Sequence, residues 1–544
     1  MIITDFCFGE KELKITFIGA VHEVTGSCTL LECNNKNILI DCGLKQGAEI
    51  YENIDIPVNI PDIDAVLLTH AHIDHSGKMP YLASVGFRGK VYCTKATEKL
   101  CEIMLKDSAH IQEFEAEWRS RKARRAGEKE YTPLYTLADA ENALKLFAGL
   151  DYNKKTEIFP GISIRFIDAG HLLGSGSIEI EINEEGKNKT IVFSGDIGNT
   201  NRPLINDPVY PECADYVVIE STYGDRLHGV RPDYVKELAS IAEETFSRGG
   251  NVIIPSFAVG RTQEMLYLIR IIKEKGLVRN YPDFAVIVDS PLALEATKIY
   301  SSGMTEYYDN ETLDLLSKGI DPINFKGLEL SLSSEDSRNI NFDNRPKIII
   351  SASGMCDAGR IRHHLKHNLW RADSTILFVG FQAEGTIGRK LIGGEKKVRL
   401  FGEDIAVNAR IEMLSGISGH ADKNGLLCWL SAFKVPPERV FVNHGDDTVC
   451  DSFAKTVEEL MGYTACAPYS GDCFDLLKGE WVVRGTPQRK EKGLMEAKRN
   501  DTVYGRLLSS LDRITRLVKG FKDRPNKEKA AFADSINSVC DKYE

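Results

Sequence analysis

Hydrophobic and polar positions keep one rhythm through the first third of the chain. Short β-branched runs bounded by Gly, Asn or Asp recur: KITFIGA, CTLLEC, NILIDCG, AVLLTH and KVYCTK, then ISIRFIDAG, SIEIEI and TIVFSGD. Such runs predict strands. Between them a polar–apolar stretch from about Thr97 to Ala126 predicts a helix. Its basic end, RSRKARRAG, reads as a solvated terminus before it reads as an RNA contact. From YVVIEST onward strand, loop and helix alternate: NVIIPSF then VGRTQEMLYLIRIIKEKG, FAVIVDS then PLALEATKIYSS, KIIISASG then RIRHHLKHNL. That alternation predicts a parallel α/β sheet. After about residue 405 short strands return in ARIEMLSGISGH and VFVNHG. One α/β domain inserted into another is the simplest account, followed by a charged stretch, 481–544, predicted to be helical.

Length and composition narrow the class. A chain of 544 residues predicts two or three domains, and 42% hydrophobic with 27% charged residues is a globular composition. No apolar run approaches the ~20 residues of a membrane span. The start lacks a basic segment followed by an apolar one, so no signal peptide and a cytoplasmic location are expected. Thirteen cysteines stand singly, with no C-x-x-C pair, as reduced thiols would. A net charge of −11 excludes a general nucleic-acid coat. It leaves room for a nucleic-acid enzyme, because metal ions and local basic groups can hold phosphates.

The chemistry concentrates at strand ends. AVLLTH finishes at His70, and THAHIDHSG adds His72, Asp74 and His75 within five further positions. Other predicted strands run out at Asp41, His171, Asp196 and His444. A single strand-end histidine is usually a hydrogen-bonded structural residue. An H-x-H-x-D-H cluster buried without metal would leave many polar atoms seeking partners. Five histidines with two or three carboxylates suit two zinc ions of mixed nitrogen and oxygen ligation, with Asp196 placed to bridge them. In the predicted insert, NVIIPSFAVGRTQE and IIISASGMCDAGRIRHH each lead a strand through small residues into a helix. Backbone N–H groups at such helix starts bind phosphate, and Ser256, Arg261, Ser353 and Arg360 are the contact candidates. His363, His364 and His367 share helical spacing and read as a polar helix face. His22 is expected near the rim of the site, in a surface role before a substrate-touching one.

These motifs resemble a known family. THAHIDHSG looks like the signature of the metallo-β-lactamase fold, and ILIDCG, AGHLLGS and SGDIG resemble its other motifs in the same order. The rest is similar to the β-CASP branch, the nucleases that include RNase J. Glu220 in VIESTYG, His420 in SGISGHAD and His444 in FVNHGDD match that branch's motifs A, B and C. The resemblance implies an α/β fold: a metallo-β-lactamase αββα sandwich (1–222 and 406–480), an inserted parallel α/β β-CASP domain (223–405) and a C-terminal extension (481–544). It implies two Zn2+ per chain, one held by His70, His72 and His171, the other by Asp74, His75 and His444, with Asp196 bridging. Asp41 would steady a ligand imidazole, and Glu220 would pair with His420 beside the metals. The implied activity is hydrolysis of RNA phosphodiester bonds by metal-activated hydroxide, with Asp74, Glu220 and His420 as catalytic residues. The expected partner is single-stranded RNA, cut endonucleolytically with 5′-3′ exonuclease action as a second mode. A small-molecule thioester or lactone hydrolase and an inactive RNA-binding scaffold are the rivals. A homodimer formed through the tail, an RNA clamp and a simple cover all stay open.

Overall fold

In the computed structural model, residues 13–47, 50–184, 186–229, 231–383, 385–490, 518 and 526–543 are described. Period-two alternation decides how the first two sheets pack, since successive side chains of a strand point to opposite faces. In the strands Cys28–Cys33, Lys36–Ile40 and Ala65–Leu67, the residues Leu31, Ile38, Ile40 and Leu67 enter one core. Their alternates Leu30, Leu39 and Val66 enter another, against Leu100 and Leu105 of the helix Lys95–Ala126. A second sheet divides its residues the same way. Ile191, Phe193, Val218 and Phe441 meet the first sheet. Val192, Val217, Val440 and Val442 face the helices Lys423–Ser431 and Asp447–Met461. Helix, sheet, sheet and helix therefore stack in four layers, the expected αββα sandwich.

The first sheet has the order Glu480–Val483, Cys473–Asp475, Lys14–Gly19, Cys28–Cys33, Lys36–Ile40, Ala65–Leu67, Lys90–Thr94, Phe147–Leu150. The second runs Ala465–Cys466, Arg439–Asn443, Tyr216–Glu220, Lys187–Phe193, Gly176–Glu184, Ile162–Asp168, Thr156–Phe159. Lys187–Phe193, Tyr216–Glu220 and Arg439–Asn443 are mutually parallel, so their carboxyl ends share one edge.

The inserted sheet is parallel, in the order Leu328–Leu330, Ala285–Val288, Lys347–Ser351, Val252–Pro255, Thr375–Phe378, Arg410–Met413. Its last strand corrects the expected boundary. Arg410–Met413 pairs with Thr375–Phe378, so the chain returns to the sandwich after residue 413 and not at 406. The tail departs from expectation too. The stretch expected to be helical from 481 opens inside the strand Glu480–Val483. Residues 491–517 lie outside those described. A separate unit, residues 50–52 with 488–544, contains a Tyr51–Arg489 bridge and the helix Asn526–Tyr543. Among the described residues no helix is long and apolar enough to cross a membrane, and the eleven cysteines described are free thiols.

Candidate metal centre

Seven side chains from distant parts of the sequence gather at the shared strand edge of the sandwich, in two sets. In the first, His70 Nε2 and His72 Nδ1 are 3.0 Å apart, and His171 Nε2 is 3.2 Å from the same His72 nitrogen. Asp196 Oδ2 stands 3.4 Å from His70 Nε2 and 3.5 Å from His171 Nε2. In the second, His75 Nε2 and His444 Nε2 are 3.1 Å apart, with Asp74 Oδ2 3.8 Å from the latter. Asp196 Oδ1 is 3.3 Å from His75 Nε2. The two oxygens of one carboxylate thus face one set each.

Local backbone explains how they converge. Asp41 and His444 both leave their strands with positive φ, +57° and +47°. This conformation is costly outside glycine and is tolerated where surrounding structure enforces it. The glycines of two motifs permit close approach. A Cβ on Gly43 would lie 1.6 Å from the carbonyl oxygen of Asp74, and one on Gly198 1.8 Å from that of Gly170. The Asp74–His75 turn and the His171 loop therefore seat directly on the backbone of ILIDCG and SGDIG.

Hydrogen bonds on the far side of each ring fix which nitrogen turns inward. His75 Nδ1 donates to Asp41 Oδ2 at 2.7 Å. His70 Nδ1 lies 3.1 Å from the Thr69 hydroxyl, which donates to the same Asp41 carboxylate. His171 Nδ1 donates to the carbonyl of Gly419 at 3.2 Å, and His444 Nδ1 to the Thr222 hydroxyl at 3.2 Å. In each of these four rings Nε2 is the nitrogen turned towards the centre. Outer partners of this kind are what orient metal-binding imidazoles. Thr69 and Thr222 were not singled out from the sequence. Their only signal is adjacency, since Thr69 precedes His70 and Thr222 follows Glu220 by two.

The donor set fits metal. Imidazole lone pairs that face each other at 3.0–3.2 Å repel unless a cation or proton lies between them, and tetrahedral zinc with bonds of ~2.0–2.1 Å places its nitrogen ligands ~3.3 Å apart. Asp196 Oδ1 is buried without a hydrogen bond, a state a carboxylate oxygen rarely keeps. Burial, aided by neighbouring imidazoles, pushes His70, His72 and His171 below the ordinary histidine range, towards the neutral ligating form. For Asp74 burial works towards protonation, but His444, His75 and His72 outweigh it and hold the carboxyl at about 2.

Glu220 and His420 sit beside these sets. His420 Nδ1 is 3.1 Å and 3.2 Å from the two oxygens of buried Glu220, and 4.0 Å from Asp196 Oδ2. Burial disfavours the charged ring, but Glu220 outweighs it and raises His420 to about 9. Glu220 is itself pinned by the amide of Ile197 at 2.7 Å. His72, Asp74 and His420 are the half-buried members, so the centre opens on their side.

The remaining candidates are engaged with partners inside the insert. Ser256 is buried within its own loop, bonded to the Phe257 carbonyl and to the Thr262 hydroxyl. Arg261 is ion-paired with Glu264 at 2.6 Å, and Arg360 with Asp289 at 2.7 Å. The Ser353 hydroxyl bonds the Ala358 carbonyl at 3.3 Å. Two expectations need correction. His22 is not at the surface: it is fully buried, stacked on Tyr469 at 3.8 Å and 3.1 Å from Asp447. His364 does not belong to a polar outer face. It is buried between Asp289, at 2.6 Å, and Asn341, while His363 and His367 are exposed.

The fold and this centre define a class: the chain belongs to the β-CASP branch of the metallo-β-lactamase superfamily, and is a metal-dependent hydrolase. The model of the metallo-β-lactamase superfamily matches residues 23–256, that of the β-CASP domain 262–391, and that of a Zn-dependent metallo-hydrolase RNA specificity domain 404–468. Among its relatives is Ribonuclease TTHA0252 of Thermus thermophilus, 36% identical over 80% of this chain and 94% of that protein. Transcription termination factor FttA of Methanocaldococcus jannaschii is 32% identical over 86% of this chain and 72% of its own length. The factor of the same name from Methanosarcina mazei is 33% identical over 83% and 70%.

Proposed function

We propose that the chain is a zinc-dependent ribonuclease that hydrolyses phosphodiester bonds of single-stranded RNA, with two ions per chain. The observation that carries the metal count is Asp196, whose two oxygens face separate ligand sets at 3.3–3.5 Å. His70, His72 and His171 would hold one ion, and Asp74, His75 and His444 the other. Bound there, zinc supplies Lewis acidity and a nucleophile drawn from water near neutral pH. The ribonuclease name of the relative in Thermus thermophilus supports RNA as the substrate.

The chain's own residues supply the rest. His420, charged through Glu220, meets the phosphate on the open side of the centre. It neutralises a non-bridging oxygen or gives a proton to the leaving oxygen as the P–O bond breaks. Glu220 keeps that proton on the ring and fixes the ring's direction. Asp74 stays ionised and available as a ligand.

The test is cleavage of end-labelled linear RNA, circular RNA and matching DNA by protein of measured zinc content, with and without chelator. Cutting of the circle, two zinc per chain and silence with chelator are expected. Undiminished cutting by zinc-free protein would overturn the reading.

A further inference from the structure

The carboxyl edge of the inserted parallel sheet is where ligands of such sheets bind. Two phenyl rings stand on that edge. Phe257 follows the strand Val252–Pro255 and is 43% exposed; Phe381 follows the neighbouring Thr375–Phe378 and is 53% exposed. The Phe257 ring is held in place. The Cδ2–Cε2 edge of Phe257 lies 3.1–3.2 Å from where a Cβ of Gly354 would stand, and 3.8 Å from that of Gly380. Two glycines thus form its seat. Next to Phe381 in the chain, buried Gln382 donates through Nε2 to the carbonyls of Gly354, Gly380 and Phe381 at 3.0–3.2 Å. It ties the two loops together.

The same edge runs into the metal centre at two points. The sheet's outer strand Arg410–Met413, partner of Thr375–Phe378, leads through Leu414–Gly419 to His420. The Phe257 loop ends at Gly260, whose Cβ position is 3.0 Å from Leu172, the residue after His171. Two arginines of the edge, Arg261 and Arg360, are paired with Glu264 and Asp289.

We infer that Phe257 and Phe381 form a stacking platform for unpaired bases beside the scissile phosphate, which seats an RNA strand in the metal centre without reading its sequence. This rests on the ribonuclease reading. Every base has a π-face, so aromatic stacking tolerates sequence. Paired bases are already stacked on each other, so the platform rejects duplex.

The experiment compares the zinc-loaded protein with Phe257→Leu, Phe381→Leu and the double variant, since leucine keeps the packing on Gly354 and Gly380 but has no flat ring. Substrates are a single-stranded RNA and the same RNA with an abasic site at each position flanking the cut. Each variant is expected to raise KM roughly 10-fold with kcat little changed. Phe381→Tyr should restore the wild-type KM. The abasic substrate should slow the wild type similarly and leave the double variant indifferent. Equal KM in all proteins, or an abasic effect that persists in the double variant, would overturn the platform while leaving the ribonuclease intact. Binding of RNA carrying 2-aminopurine at the same positions separates the two readings. Quenching by the wild type and not by the double variant supports the platform even if no RNA is cut; equal quenching, or no binding, overturns it.

Discussion

Two carboxyl edges of β-sheet meet in this molecule and solve opposite problems. On the sandwich, Nε2 atoms of His75 and His444 face each other at 3.1 Å, and one oxygen of Asp196 has no hydrogen bond. Each ring's outer nitrogen is satisfied and its inner one is not. On the insert, the charged groups at the centre of the edge are paired: Asp289 is claimed by Arg360, His364 and Ser337 at 2.6–2.7 Å, and Arg261 by Glu264. That edge also exposes two phenyl rings, Phe257 and Phe381. Buried polar groups that lack partners need something from outside, whereas buried groups that have them only need to stay folded.

Changes at the first edge should therefore abolish chemistry, and changes at the paired polar groups of the second should cost stability. Asp196→Ala removes the atoms shared by both ligand sets. Activity should fall at least about 1000-fold, and elemental analysis should find well under two zinc per chain. His420→Ala should lower kcat about 100- to 10,000-fold while the bound zinc is retained; a loss of metal instead would place His420 among the ligands. Asp41→Asn touches no ion and loosens His75 and Thr69, so zinc should bind about 10- to 100-fold more weakly in chelator competition. Asp289→Ala should leave zinc content and kcat of the folded fraction unchanged and cost about 3 kcal/mol in denaturant unfolding, because it strands a buried partner. Its pH dependence sharpens the contrast. Burial pushes the Asp289 carboxyl up, but the hydrogen bonds and charge of His364 with Ser337 hold it well below the usual range. A depressed carboxyl gives its full stabilisation above its unfolded value, about pH 4, and loses it as pH falls through the folded one. The gap between wild type and variant should be constant near neutrality and close in acid.

The sequence exposed the sandwich edge far better than the insert's. His70, His72, Asp74 and His75 fall within six positions, and Asp196 and His444 end runs that period two marks as strands. Chemistry and periodicity point the same way there. Thr69 was illegible because a hydroxyl that relays between Asp41 and His70 has no characteristic spacing. His364 was illegible because its partner Asp289 is 75 residues away, and only the fold turns it inward. His22 was misplaced for the same reason, as Asp447 lies 425 residues on. The strand Arg410–Met413 was assigned to the wrong sheet. Its alternation predicts a strand but cannot say which neighbour completes its hydrogen bonds.

That strand has a consequence for His420. Arg410–Met413 belongs to the insert, yet Ala421 donates to Ile197 of the sandwich at 2.7 Å and His420 bridges to Gly198. The His420 ring therefore hangs on a short segment held by the insert's sheet at one end and by the sandwich at the other. Any displacement of the insert's outer strand reaches the ring that pairs with Glu220 through six residues, Leu414–Gly419.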